Sequence, residues 1–343
     1  MNVSQAIEIA KEWVRENVSE VPGFYGAHLA GSITQMPKDA PFPIYIDVDI
    51  SIVVQDPRQI SSPQQKLLYK GVLLEYVFYG LAGYRSPEVV LSNPMVAHTL
   101  AVESVISDPT GLLTELQRSV ARNYSQKRWV QARCESLKRS IAECLDKMSR
   151  VNSPTEAFKS LGWFVSYLGA LIAVAHLKPP TVRKSLVLMR ELLQSHGKLA
   201  LHETVLQLCG YAHMNQRQVE SYLRECIAAF DRAVKVKRTP FFGDYNIHSY
   251  VRPYLVEGGQ EIIDKGYYRE VMFWISLFHY LANVAIQNDA SETEKSQYQA
   301  GFERLLSGLG LYPLNDWQSR LQLAGNIAEE FSRLVDKIIE DYR

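Results

Sequence analysis

The most constraining stretch of the chain is Ile44-Tyr45-Ile46-Asp47-Val48-Asp49-Ile50-Ser51-Ile52-Val53-Val54. Ile44, Ile46, Val48, Ile50, Ile52 and Val54 share one face of an extended chain, with Tyr45, Asp47, Asp49 and Ser51 on the other. That period of two, rich in β-branched residues, predicts a strand over 44–54. Asp is depleted in strands, so two on one face call for a reason. Their Cα atoms would lie about 7 Å apart. The two carboxylates could then converge on one or two hard cations. Ions such as Mg²⁺ take oxygen ligands and serve chemistry on phosphates. The bland alternative is a half-buried strand whose polar face meets solvent.

A second signal lies upstream. Phe24-Tyr25-Gly26-Ala27-His28-Leu29-Ala30 reads as a short strand that runs into Gly31-Ser32. Gly-Ser at a strand end, opening a turn or short helix, offers backbone N–H groups and a hydroxyl that can hold a phosphate. The glycine lets the chain pass close to a ligand. A third strand, Val72-Leu73-Leu74-Glu75-Tyr76-Val77-Phe78-Tyr79, carries a single acid, Glu75. An acid among those apolar residues is costly to bury unless it is paired, hydrogen-bonded or metal-bound.

Leu29-Ala30-Gly31-Ser32 followed by Ile46-Asp47-Val48-Asp49-Ile50 resembles the nucleotidyltransferase superfamily of the DNA polymerase β type. That family places Gly-Ser ahead of an Asp-x-(Asp/Glu) pair between apolar residues, with a third carboxylate on a neighbouring strand. The spacer here, Ile33 to Ile46, is 14 residues, slightly longer than is usual in the family, and contains Pro37, Pro41 and Pro43. The extra length is expected in a loop. The resemblance covers residues from roughly 20 to 120, and the order of elements looks most like the antibiotic-modifying adenylyltransferases and their uncharacterised relatives. It implies Mg²⁺-dependent transfer of a nucleoside monophosphate, AMP from ATP, to a hydroxyl of a small-molecule acceptor such as an antibiotic. In that scheme Asp47 and Asp49 bind Mg²⁺, while Gly31 and Ser32 hold the β- and γ-phosphates. Glu75 either ligates a second metal or takes the proton of the attacking hydroxyl, and a helical region selects the acceptor. Two alternatives stand beside it: AMP transfer to a protein, and a nucleotide-binding regulatory module without turnover.

Composition narrows the partners. The 343 residues include 37 basic and 37 acidic ones, for a net charge of zero. Bulk phosphate binding usually leaves a basic excess, so no nucleic-acid partner is expected. Cys134, Cys144, Cys209 and Cys226 show no Cys-x-x-Cys spacing and lie in helical patterns; they are expected to be free thiols in a reduced, cytoplasmic setting. Met1 to Glu20 reads as an amphipathic helix, capped by Ser4, without the apolar core of a signal peptide. The longest apolar run, Leu161 to Leu177, falls short of the roughly 20 residues of a membrane span and is expected to be a buried helix.

The expected fold is α+β. A nucleotidyltransferase domain with a small mixed sheet of about four or five strands, residues 1–118, precedes a large all-helical region. Residues 119–240 and 241–343 form its two blocks, with a seam at Arg238-Thr239-Pro240 through Gly243. Asp56-Pro57 and Ser61-Ser62-Pro63 mark a loop. Ala101 to Ile106 reads as one more short strand, and Asp108-Pro109-Thr110-Gly111 as a turn that opens a helix. Helices are expected over 112–149, 155–177, 181–195, 199–212 and 215–236. The basic run Arg122, Lys127, Arg128, Arg133, Lys138 and Arg139 is a solvated face or, in part, a contact to the triphosphate. The segment Phe241 to Tyr254, rich in aromatic residues, lines a pocket or packs a seam. His196 and His202 do not share a helical face, and there is no His-Glu-x-x-His or Gly-x-x-x-x-Gly-Lys motif.

Overall fold

The computed structural model describes residues 1–342. It divides into two compact units: Met1–Ser136 with Val174–Thr181 and Ile338–Arg343, and Leu137–Ala173 with Val182–Lys337. The fold is α+β, as the sequence predicts.

In the first unit, α1 (Val3–Asn17) precedes β1 (Phe24–Ala30), β2 (Val48–Val54), β3 (Gln64–Tyr69) and β4 (Val72–Gly80). Two short helices follow, α2 (Pro87–Ser92) and α3 (Ala97–Leu100), then β5 (Val105–Ser107), α4 (Leu112–Asn123) and the start of α5 (Lys127–Met148). The five strands make one mixed sheet in the order β3-β4-β2-β1-β5. β2 and β4 are parallel, and the other pairs are antiparallel.

Alternation fixes the two faces of this sheet. Val48, Ile50, Ile52 and Leu74 pack with Ala6, Ala10, Trp13 and Val14 of α1. On the opposite face Val53 packs with Tyr84, Val90, Leu100, Leu113 and Leu116. Burying both faces stabilises the sheet by roughly 1.5–3 kcal/mol for each large apolar side chain enclosed. Asn2, not Ser4, caps α1: its side chain accepts from the Gln5 N–H, and the Gln5 side chain returns the bond.

Two features of the sheet differ from the sequence reading. The strand expected over 44–54 begins only at Val48, because Ile44 and Tyr45 sit in a turn closed by the Ile46 N–H on the Pro43 carbonyl (3.2 Å). Ile44 is accordingly 67 % exposed rather than on the buried face. The second difference is β3, a strand that the sequence reading does not place. It forms a tight hairpin with β4 through Lys70 and Gly71, both at positive φ (49° and 81°).

The second unit is helical. It holds the rest of α5, most of α6 (Pro154–Ala175), then α7 (Ser185–Ser195), α8 (Leu199–Cys209), α9 (Gln216–Val236), α10 (Arg252–Asp264), α11 (Met272–Asp289), α12 (Glu292–Gly308) and most of α13 (Trp317–Glu340). α6 is long and apolar enough to cross a membrane, yet 61 % of its most apolar window is buried in the protein. All four cysteines are free and buried. The single helix expected over 112–149 is two helices, because Tyr124 to Gln126 break it.

Candidate metal and phosphate site

Three of the expected site residues converge. The β2–β4 register sets Asp49 directly beside Glu75. Asp47 stands one residue before β2, on the same side of the alternation. Oxygens of Asp47, Asp49 and Glu75 lie within 4.8 Å of one another. Asp47 is 4 % exposed, and Asp49 and Glu75 are half-buried. Three hard oxygen donors this close fit a cation of the Mg²⁺ type. Among the described residues, this is the group of His, Cys, Asp and Glu side chains that converges closely enough for a metal.

Gly31 shapes the edge of this group. It follows β1 at φ 62° and ψ −158°, a region open essentially to glycine alone. A Cβ built there would stand 1.7 Å from Asp49 Oδ2. The backbone of Gly31 therefore lies flat against the Asp49 carboxylate, a closeness no side chain would permit. Ser32 opens a short 3₁₀ helix, Ser32–Gln35, and is exposed. The Gly31 carbonyl is held by the Thr34 N–H and hydroxyl (3.4 and 2.8 Å). This is the turn after a strand that the sequence predicts.

Sequence reasoning missed a fourth participant, Lys66. It lies on β3 opposite Glu75, so Lys66, Glu75 and Asp49 form one row across three adjacent strands. Its Nζ donates to Asp47 Oδ2 at 2.6 Å and sits 2.8 Å from Glu75 Oε2, with the Lys66 side chain 2 % exposed. Gln64, also on β3, donates to Glu75 Oε1 at 2.7 Å. Both Glu75 oxygens are thus engaged. The available signal was the hairpin turn: Lys70-Gly71 between two apolar segments places Gln64–Tyr69 against β4.

The electrostatics follow from burial. The Asp49 carboxyl is held well above its ordinary value, first by burial, then by the charges of Asp47 and Glu75; Lys66 pulls the other way. A cation at the triad would reverse that balance, because an opposite charge favours the ionised form. Tyr79 is pushed up, first by burial and then by Asp49 and Glu75. Behind the triad, the buried His28 contacts the Tyr84 hydroxyl (2.9 Å) and the Leu29 carbonyl (3.0 Å). Burial lowers its imidazole to about 4, so it stands neutral.

Other expected participants are occupied elsewhere. Arg133 is fully buried. It donates to the Leu91 and Tyr124 carbonyls (2.9 and 2.8 Å) and stacks on the Tyr124 ring, a structural role. Lys127 donates to the Glu340 carbonyl, Arg128 covers the Trp129 ring, and Lys138 pairs with Asp336. In the second unit, Phe241 to Tyr254 forms turns and the start of α10. There Lys237 donates to the Asp244 carbonyl (2.7 Å) and contacts His248 (3.2 Å), which stacks on Tyr250. That unit also has a cavity of about 500 Å³ lined by Gln207, His213, Tyr222, Asp316 and Ser319 among others.

No family model matches the sequence, and no curated protein matches it. Among solved structures, the chain is similar to a nucleotidyltransferase-like protein from Exiguobacterium sibiricum 255-15. The match has 17 % identity and a TM-score of 0.32 and covers 75 % of this chain and 92 % of that one. A likeness of that extent carries no chemistry, which rests on the chain's own residues.

Proposed function

We propose that this chain is a metal-dependent nucleotidyltransferase that moves a nucleoside monophosphate, AMP from ATP, to a hydroxyl of a small-molecule acceptor and releases pyrophosphate. The observation that carries this reading is the convergence of Asp47, Asp49 and Glu75 within 4.8 Å, at a carboxylate against which Gly31 is pressed. Asp47, Asp49 and Glu75 would hold the ion. When bound, Mg²⁺ supplies charge neutralisation and orientation of the triphosphate. Gly31 and Ser32, at the end of β1, would take phosphate oxygens through backbone N–H groups and the Ser32 hydroxyl. Glu75 is better suited to holding charge than to taking a proton, because Gln64 and Lys66 already occupy its two oxygens. Its part is then electrostatic, and positioning does most of the catalytic work.

One observation favours the alternative of a nucleotide-binding module without turnover: Lys66 already neutralises part of the triad. Pyrophosphate release from ATP and Mg²⁺ with a panel of hydroxylated acceptors separates the two. The site itself is tested by melting. A ligand at a hundredfold excess over its dissociation constant stabilises by about 2.7 kcal/mol. Mg²⁺ with ATP should raise the melting temperature of the wild type, and much less that of the double variant Asp47→Asn, Asp49→Asn. An equal rise in both would place nucleotide binding elsewhere.

A further inference from the structure

We propose that Lys66 is a built-in cation of the acid triad, standing in for one metal ion so that the site takes a single divalent cation. This deepens the metal-site reading above and rests on it. Three carboxylates that crowd within 4.8 Å repel one another. Sites of this chemistry commonly answer with two divalent ions, roughly 3.5–4 Å apart. Here a cation supplied by the chain is already among the oxygens, 2.6 Å from Asp47 and 2.8 Å from Glu75.

Three features make that ammonium a fixture rather than a passing surface pair. Its side chain is 2 % exposed. The β3–β4 register pins it opposite Glu75, and the neighbouring register pins Glu75 beside Asp49. Leaving would strip Asp47 and Glu75 of their cation and leave a buried amine unpaired. Charge counts the same way. Three carboxylates and one ammonium leave two negative charges, which one divalent cation balances; without Lys66 the deficit is three. Lys66 acts through Asp47 and Glu75, as a positioning residue, by setting how many ions they can hold.

The test counts bound ions instead of turnover. Mn²⁺ binding to the full chain, without nucleotide, is measured by electron paramagnetic resonance of the free ion. The expected result is one Mn²⁺ per wild-type chain, one for Lys66→Arg and two for Lys66→Gln. The double variant Asp47→Asn, Asp49→Asn should lose the ion seen in the wild type. Two ions in the wild type overturn the role of Lys66 while leaving the metal site standing, as does one ion in a folded Lys66→Gln. No ion in any variant overturns the site reading, and this inference with it. Circular dichroism reports whether Lys66→Gln folds. If it does not, Lys66→Met, uncharged and of similar length, is counted in its place, with two ions expected and one overturning the role of Lys66.

Discussion

At the scale of single residues, the site depends on one position where a methyl group would be fatal. Gly31→Ala adds a Cβ that collides with Asp49 Oδ2 and holds an L side chain at φ 62°, ψ −158°. The strain alone costs roughly 1–3 kcal/mol. A carboxylate displaced by an ångström can cost about 10²-fold in rate. The expected outcome is a folded but destabilised protein whose Mg²⁺–ATP thermal shift is largely gone. A full shift would mean that Gly31 does not shape the site. Asp47, Asp49 and Glu75 were legible because acids are out of place among β-branched residues. Gly31-Ser32 was legible as a strand ending. Lys66 was not: a lone lysine in Gln-Gln-Lys-Leu-Leu-Tyr looks solvated, and only the pairing of β3 with β4 buries it.

At the scale of elements, the two departures from the sequence reading have local causes. Alternation extended the strand back to Ile44, but Pro43 supplies the carbonyl of a turn that overrides it. β3 was hidden because its apolar positions do not alternate, and its hairpin turn begins with Lys70, a residue that seldom takes positive φ. Gly71 does the rest, at φ 81° with open space where a Cβ would go. Gly71→Ala should therefore cost about 1–2 kcal/mol from backbone strain alone. Urea denaturation would read this loss, and an unchanged midpoint would show that the turn can relax. α6 to α9 lie within a few residues of the helices expected over 155–236, whereas the one expected over 112–149 is split at Tyr124 to Gln126.

At the scale of the whole molecule, stability should respond to pH through buried imidazoles. Burial lowers His28, His98, His202 and His279 to about 4, from the ordinary 6.5. The sign follows: between those values the unfolded chain takes up protons that the folded chain refuses. Their contribution is complete above about pH 6.5 and is lost as the pH falls toward 4. Each imidazole steepens the loss by about 1.4 kcal/mol per pH unit. Urea midpoints should fall markedly from pH 7 to pH 5, and His98→Asn should flatten that fall. Equal midpoints at the two pH values would refute it.

The first unit is assembled from three stretches of chain, the last of them Ile338–Arg343. Tyr342 donates to the Ala175 carbonyl at 2.8 Å, and Lys127 reaches the Glu340 carbonyl at 3.0 Å. Residues 338–342 therefore close a unit whose sheet lies far earlier in the chain. A variant truncated after Lys337 should show that sheet more open to protease than the 343-residue chain does. Equal protection in the truncated variant would mean that the closing stretch is dispensable. The unit that carries the acid triad is thus held shut by residues that stand far from it along the sequence.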